Sequence, residues 1–340
     1  MTNMTKIEKN SSIPSWQQEL RSAYTQPSEL LKYLELEVDD IDLYNKASKK
    51  FPLLVSHSYA QRIKKGDWND PLLRQVLPHP DELVSTPAYS NDPVGDGNAS
   101  VSPGLLHKYH GRALMIATGA CAIHCRYCFR REFPYSNNSA NRSQFANIKD
   151  YLISHPEITE IILSGGDPLT LNDSKLADLI QSLSNIGQIE RIRIHTRLPI
   201  VLPSRITAEL LATLSSSNKQ IVMVIHANHA NELNDDVSHV LLALKKHGVT
   251  LLNQTVLLRG INDNVNSLEQ LSLRLFNVHT LPYYLHVLDK VSGAAHFDKA
   301  LPDIYKLYEL LQQRLPGYLV PKLVQEEKGK PYKTLLQHSL

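Results

Sequence analysis

Cysteine is scarce in this chain: 340 residues hold three, all of them between positions 121 and 128. A secreted disulfide framework uses an even number of cysteines and spreads them, so that architecture is excluded and the clustered, unpaired thiols fit a reducing compartment. An excess of one charge is missing too. The 36 Lys and Arg residues against 34 Asp and Glu leave a net charge of +2, which argues against a nucleic-acid stripe or a polybasic membrane surface. Small molecules or a modest protein surface are the expected partners. Long apolar runs are also lacking. No stretch approaches the roughly 20 residues of a membrane span, and the amino terminus, Met1 to Lys9, has no apolar segment behind its lysines of the kind a secretory signal carries. The chain is expected to be cytoplasmic, with neither a membrane nor nucleic acid among its partners.

What is present changes in texture along the chain. Residues 1 to about 100 carry helical fragments such as Ser28 to Leu36, broken by Pro27, Pro52, Pro71, Pro78, Pro80 and Pro87. Asn91 to Pro103 is rich in Asp, Gly, Asn, Ser and Pro and reads as a connecting segment. After it, short apolar runs alternate with amphipathic helices. Six runs read as strands: Ala113 to Ala117, Glu160 to Leu163, Arg191 to His195, Gln220 to His226, Thr250 to Val256 and Leu281 to Val287. The clearest helix is Asp235 to His247, with Val237, Val240, Leu241 and Leu244 at helical spacing, acids in its first turn, lysines in its last and Gly248 as its stop. A second runs from Ser174 to Ile186, with Leu176, Leu179, Ile180 and Leu183 on one face and Gly187 behind. Strict alternation of strand and helix implies parallel βαβ units, and six of them fit an incomplete (β/α)6 TIM-like barrel better than a closed eightfold one. The expected layout is α/β: a mostly helical region and linker over 1–100, the partial barrel over 101–290 and a C-terminal segment over 291–340.

The cysteines form the run Cys121-Ala-Ile-His-Cys125-Arg-Tyr-Cys128. A tetrahedral zinc site would need a fourth ligand, for which His110 or His124 could serve. A four-iron cluster takes one thiolate per iron, so three cysteines leave one iron open to an outside ligand. The spacing Cys-x3-Cys-x2-Cys resembles the radical S-adenosylmethionine (SAM) superfamily, in which SAM chelates that fourth iron. Active sites of parallel barrels lie at the carboxyl ends of the strands. The second strand is followed by Ser164-Gly165-Gly166-Asp167-Pro168, which alone reads as a tight turn but, one strand beyond the cysteines, resembles the superfamily's turn for the SAM amino group. The next strands end in His195-Thr196-Arg197 and His226-Ala227-Asn228-His229 and carry Asn253-Gln254, polar groups converging on one mouth. Ahead of the first strand, Lys108 and Arg112 bracket Tyr109, a pattern that can hold a phosphate and cover a ring. On their own they read as a solvated basic loop. They gain weight from Gly329 to Thr334, where a lysine in a turn is suited to form a Schiff base with an aldehyde such as pyridoxal phosphate (PLP).

Ordered over Phe51 to Thr334, a set of segments resembles one family, the lysine 2,3-aminomutases, which are radical SAM enzymes that also use PLP. The segments are Asn69-Asp-Pro, Asp92-Pro, Pro103 to Tyr109, Cys121 to Arg131, Ser164 to Leu169, Leu202 to Thr207, Asn253 to Asp263 and Pro282-Tyr-Tyr. Cys128-Phe-Arg-Arg-Glu-Phe-Pro-Tyr135 is similar to the EpmB-type branch, which makes β-lysine for the modification of elongation factor P. The resemblance implies that Cys121, Cys125 and Cys128 ligate a [4Fe–4S] cluster and that Gly165, Gly166, Asp167, His226 and Gln254 lie around SAM. It further implies that Lys108 and Arg112 hold the PLP phosphate, Lys333 binds PLP covalently, Arg130 receives the substrate carboxylate, and Asp289 and Glu326 receive the distal amino group of L-lysine.

By the same resemblance the reaction moves the 2-amino group of L-lysine to carbon 3, giving β-lysine. The implied partners are L-lysine, a reductant such as flavodoxin or ferredoxin and, functionally, elongation factor P with its lysyl ligase. Glu326 departs from the aspartate of free-lysine enzymes by one methylene. Relatives of lysine catabolism carry a long C-terminal extension with metal ligands; with no spare cysteines here, a structural zinc is not expected. Two acids at the distal end favour a terminal cation, so lysine fits and arginine stays open. The competing readings are a free-lysine or arginine 2,3-aminomutase of metabolism or osmolyte synthesis and, from another class, a non-catalytic zinc-binding interaction module.

Overall fold

A computed structural model describes residues 15–135 and 142–337. Each of the six expected strands is present and ends within two residues of its expected limits: β3 (Arg112–Thr118), β4 (Glu160–Gly165), β5 (Arg191–Thr196), β6 (Gln220–Ile225), β7 (Thr250–Val256) and β8 (Leu281–His286). They pair in parallel and in sequence order. Four further strands extend the sheet. β1 (Ser100–Ser102) and β2 (Leu105–Tyr109) add antiparallel to the β3 edge, β9 (Lys322–Gln325) adds parallel to β8, and β10 (Thr334–Leu335) closes a hairpin with β9. The order runs β1 to β10 without a pairing that joins its two ends, so among the described residues the barrel is open.

Two sequence readings change. The basic segment before β3 is a β-hairpin rather than a loop: Tyr109 pairs with Arg112, and Gly111 turns the chain at φ +76°. The stretch from Asn91 to Pro103 is built rather than slack. Asp92 accepts the amides of Asp96 and Gly97 at 2.9 and 3.2 Å, Gly95 sits at φ +70°, and β1 follows.

Strand periodicity sorts the side chains. Along β5, Ile192 and Ile194 are buried under the helices, while the alternate Arg193 and His195 face the barrel interior. The covering helices start where caps predict: Asn172 accepts from the Lys175 amide ahead of Asp173–Ser184, and Asn234 from Val237 ahead of Asp235–Lys246. One apolar cluster joins Trp16, Leu30 and Leu34 of the first helices to Leu163, Ile194 and Met223 of the strands and Leu241 of the helical layer. A second surrounds helix Leu301–Arg314, with Ile304, Leu307 and Leu311 against Leu285 and Leu323.

The turn after β4 is pressed onto the loop after β3. Gly166 and Asp167 donate to the carbonyls of Thr118 and Ala120 at 2.8 and 2.7 Å. A Cβ on Gly165 would meet the Thr118 carbonyl at 2.5 Å, and one on Gly166 would collide with the Ala120 carbonyl. Gly166→Ala is therefore expected to lower stability by about 1–3 kcal/mol through overpacking against backbone. Gly187→Ala, where a methyl group meets nothing within 4 Å, should leave stability unchanged or slightly raised. Urea denaturation of both variants checks the contrast.

Candidate active site

Every residue given a role by the resemblance lines one cavity of about 600 Å³ inside the open barrel, whereas Asn228, His229 and Asn253 do not. The three thiols come from the loop after β3. That loop is held by the N-terminal region: the amides of His124 and Arg126 donate to the carbonyls of Leu54 and Gln75 at 3.0 and 2.9 Å. Arg126, fully buried, donates Nε and Nη2 to Glu82 at 2.8 and 2.6 Å, and Arg131 adds Nη2 at 2.7 Å. Cys125 Sγ accepts from Arg197 Nη1 at 2.7 Å, and the other guanidinium nitrogen of Arg197 binds Glu232 at 2.8 Å and Gln75 at 2.6 Å. Burial, and then the neighbouring thiols, push Cys128 up to about 11 and Cys121 well above its ordinary value. Such sulfurs ionise only against a positive centre, as metal ligands do. Among the described residues no three His, Cys, Asp or Glu side chains gather as for a single ion. The three free thiols line one cavity, which is the donor set that a cluster with one iron open to an outside ligand needs.

Next to the thiols, the carboxylate of Asp167 is turned inward. It accepts Thr196 Oγ1 at 2.7 and 2.9 Å, the Arg197 amide at 2.7 Å and the Leu169 amide at 3.1 Å. Burial pushes it up to about 6 against these bonds. It therefore shapes the turn and ties β4 to β5. Gly165 and Gly166 leave that turn bare of side chains, and Tyr135 donates its hydroxyl to the Gly165 carbonyl at 2.7 Å. Asn253 is likewise used internally, bonding the Ala227 amide at 2.9 Å and carbonyl at 3.1 Å, while the next residue, Gln254, faces the cavity. Three imidazoles, His195, His226 and His286, line the space with Nε2 atoms that find no protein partner. Burial brings His226 down to about 4 and the other two well below their usual range, so all are neutral and can donate to or accept from a bound ligand.

A chain of alternating charge runs along the opposite wall. The β9–β10 hairpin pairs Gln325 with Thr334, which sets Glu326 against Lys333, and the two form an ion pair. Glu326 also meets Lys108 at 3.2 Å; Lys108 meets Asp96 at 2.6 Å; Asp96 meets Arg130 Nε at 2.7 Å; and Arg130 Nη1 donates to Ser164 Oγ at 3.0 Å. Burial opposes ionisation of Glu326, but Lys333 and Lys108 overcome it and draw the carboxyl down to about 2. Asp289 lies nearby without an ion pair to any described residue; burial raises it to about 7, with Glu326 adding to the rise and Lys333 opposing it. Arg112 covers the Tyr109 ring at 4.7 Å, and Tyr283 and Tyr284 stack with centroids 3.7 Å apart. Asp96, at 2% exposure, is the residue that the sequence reading missed, because it lies in a stretch of small polar residues that reads as linker. His286 and Tyr135 were missed as well.

The radical SAM superfamily model matches residues 115–271. An L-lysine 2,3-aminomutase of Escherichia coli is 47% identical over 326 residues, covering 96% of this chain and 95% of its own. One of Haemophilus influenzae is 46% identical, covering 94% and 95%, and one of Clostridium subterminale is 33% identical, covering 94% of this chain and 77% of its own. A radical SAM domain implies a [4Fe–4S] cluster and SAM, which the three cysteines and the neutral, unpartnered imidazoles fit. With near-complete coverage at this identity, the chain belongs to the lysine 2,3-aminomutase family of radical SAM enzymes, which are isomerases.

Proposed function

We propose that this cavity converts L-lysine to β-lysine with PLP as a third cofactor, and that the product serves the β-lysylation of elongation factor P in the cytoplasm. The observation that carries the reading is the convergence of the thiols, the bare glycine turn, Lys333 and the alternating charges on one enclosed space. When bound, PLP supplies the π-system that lets nitrogen pass between adjacent carbons, and the cluster with SAM supplies the radical.

The chain's own residues position and shield. Lys333, at the foot of the β9–β10 hairpin, holds PLP through its amine, with Lys108 and Arg112 toward the phosphate and the tyrosine pair beside the ring. Arg130 is fixed by Asp96 at Nε and Ser164 at Nη1, which leaves its remaining edge for the substrate carboxylate. Asp289 and Glu326 meet the distal ammonium. The three histidines, Gln254 and the backbone of the Gly165–Gly166 turn enclose SAM, while Asp167 keeps that turn in shape. Fixing lysine at both ends confines its β-carbon to one place, which is the protein's share of the rate. The Cys128 to Tyr135 segment favours the elongation factor P role, and loss of that modification in a deletion strain tests it.

Borohydride reduction and peptide mapping should place a pyridoxyl group on Lys333. A label on Lys328 or Lys330 instead would contradict the assignment.

Asp289 gives a pH signature. An ammonium pairs with a carboxylate and not with a carboxyl, so kcat/KM for lysine should rise as pH passes upward through about 7, where Asp289 loses its proton. In Asp289→Asn that limb should vanish, and kcat/KM should fall about 10- to 150-fold, equivalent to roughly 1.5–3 kcal/mol for a charge-assisted contact. Norleucine, which lacks the ammonium, should be nearly indifferent to the substitution. Equal losses for both substrates would assign Asp289 to the fold instead.

A further inference from the structure

One surface patch lies against the cysteine loop and has no part in the reaction described above. Helix Ile41–Lys50 leads into Phe51, whose ring carries the guanidinium groups of Arg126 and Arg131 at 4.7 and 4.5 Å and stacks on His124 at 5.1 Å. Those three residues flank Cys125 and Cys128. The Phe51 carbonyl accepts from Arg126 at 2.8 Å, and the Pro52 carbonyl contacts His124 Nδ1 at 2.9 Å. Lys50 and Pro52 are exposed, yet they line the same cavity as the thiols, so the wall that carries the sulfurs is here also the surface of the protein.

The outer face combines cations with aliphatic surface. Lys46, Lys49 and Lys50 are exposed at i, i+3 and i+4, hence on one side of the helix, and none pairs with an acid among the described residues. Lys50 Nζ reaches the Glu82 carbonyl at 3.4 Å, which draws the turn Pro80–Leu83 alongside. Leu83 and Val84 of that turn are 39% and 61% exposed. Acids flank the lysines: Asp40 and Asp42 at the start of the helix, Asp81 beside His79 at 3.4 Å, and Glu132 beside Arg131 at 4.0 Å. Lysines in a last helical turn offset the helix dipole in any protein. What singles these out is their place beside exposed aliphatics, on the helix that leads into Phe51 and through it to the cysteine loop.

We propose that this patch docks an acidic one-electron carrier protein, which reduces the cluster across Phe51 and the cysteine loop. The proposal rests on the radical SAM reading. One electron leaves the carrier's reduced centre and enters the oxidised cluster, and no atom is transferred. The barrel mouth cannot serve the carrier once SAM and substrate fill it. A basic rim steers an acidic partner and raises the rate of productive encounter, while the aliphatic centre gives it something to dock on.

The test uses the full chain with its cluster reconstituted under anaerobic conditions. Bleaching of the cluster's visible absorbance is followed in stopped flow after mixing with fully reduced flavodoxin or, separately, with dithionite. Lys46→Glu/Lys49→Glu should slow reduction by flavodoxin about tenfold or more at low ionic strength, leave reduction by dithionite unchanged, and converge on the unmodified protein at about 0.5 M salt, where such steering is screened. Equal flavodoxin rates for the two proteins would overturn the proposal. Equal slowing by both reductants would also overturn it, since that reports a damaged cluster environment. A protein with no dithionite-reducible cluster would refute the radical SAM reading itself, and the docking proposal with it.

Discussion

The alternation Lys333, Glu326, Lys108, Asp96, Arg130 is the interaction on which the cavity depends. Each carboxylate sits between two cations, and all five groups are largely withdrawn from water. A buried pair is no gift to stability, because desolvation offsets most of its attraction, but removing one partner leaves a charge with nothing to face and costs about 3–5 kcal/mol. The chain thus holds its members in place more than it stabilises the fold. It also joins parts of the chain that are remote in sequence: the C-terminal hairpin, the β2–β3 hairpin, the turn at Asp96 and the segment after the last cysteine. A second buried pair does the same for the metal side, where Glu82 holds Arg126 and Arg131. The site is therefore tied at both ends by charge, and the apolar clusters support it from outside.

How much of this could be read from the sequence followed from how local each signal is. The six inner strands were legible because a parallel strand covered by helices is a near-continuous apolar run, as Ile161 to Leu163 and Ile221 to Ile225 show. Helix starts were legible from Asn172 and Asn234, since capping is a contact within three residues. β9 and β10 were not. Four residues and two residues are too short to show a period, and β9 follows the Pro316 and Pro321 breaks, so its place is set by pairing with β8. The hairpin at His110–Gly111 was hidden for a related reason: its polar residues face the cavity, and the alternation that marks a strand is overwritten by function.

The site divides along the same line. Cysteine spacing and the glycine turn are local patterns with a chemical meaning, and the loops they mark line one cavity. Asp167 shows the limit of such patterns. The motif marks the residue, but only the fold shows that its carboxylate serves Thr196 and the Arg197 amide and so sets the shape of the turn. Asp96 shows the converse. Nothing in Asn91 to Pro103 announces a buried carboxylate, because its meaning lies entirely in Lys108 and Arg130, which are remote in sequence.

On the assignment proposed above, charge also accounts for the choice of substrate. The wall holds three cations against two fixed carboxylates, with Asp289 raised by burial to about 7 beside them. Committing the Lys333 amine to a cofactor takes away one of the two cations that hold Glu326 ionised. Glu326 then keeps Lys108 alone, and Asp289 faces the same space with no partner of its own. Glu326 on Lys108, with Asp289 unpaired beside it, forms a site that a further ammonium completes and that a neutral or anionic side chain leaves unbalanced. The longer side chain of Glu326 suits this double duty, because one oxygen can stay on Lys108 while the other, which faces Lys333 in the ligand-free state, turns to the substrate. On that assignment, preference for a terminal amine follows from the vacancy that binding of PLP at Lys333 would create in a row of charges already in place.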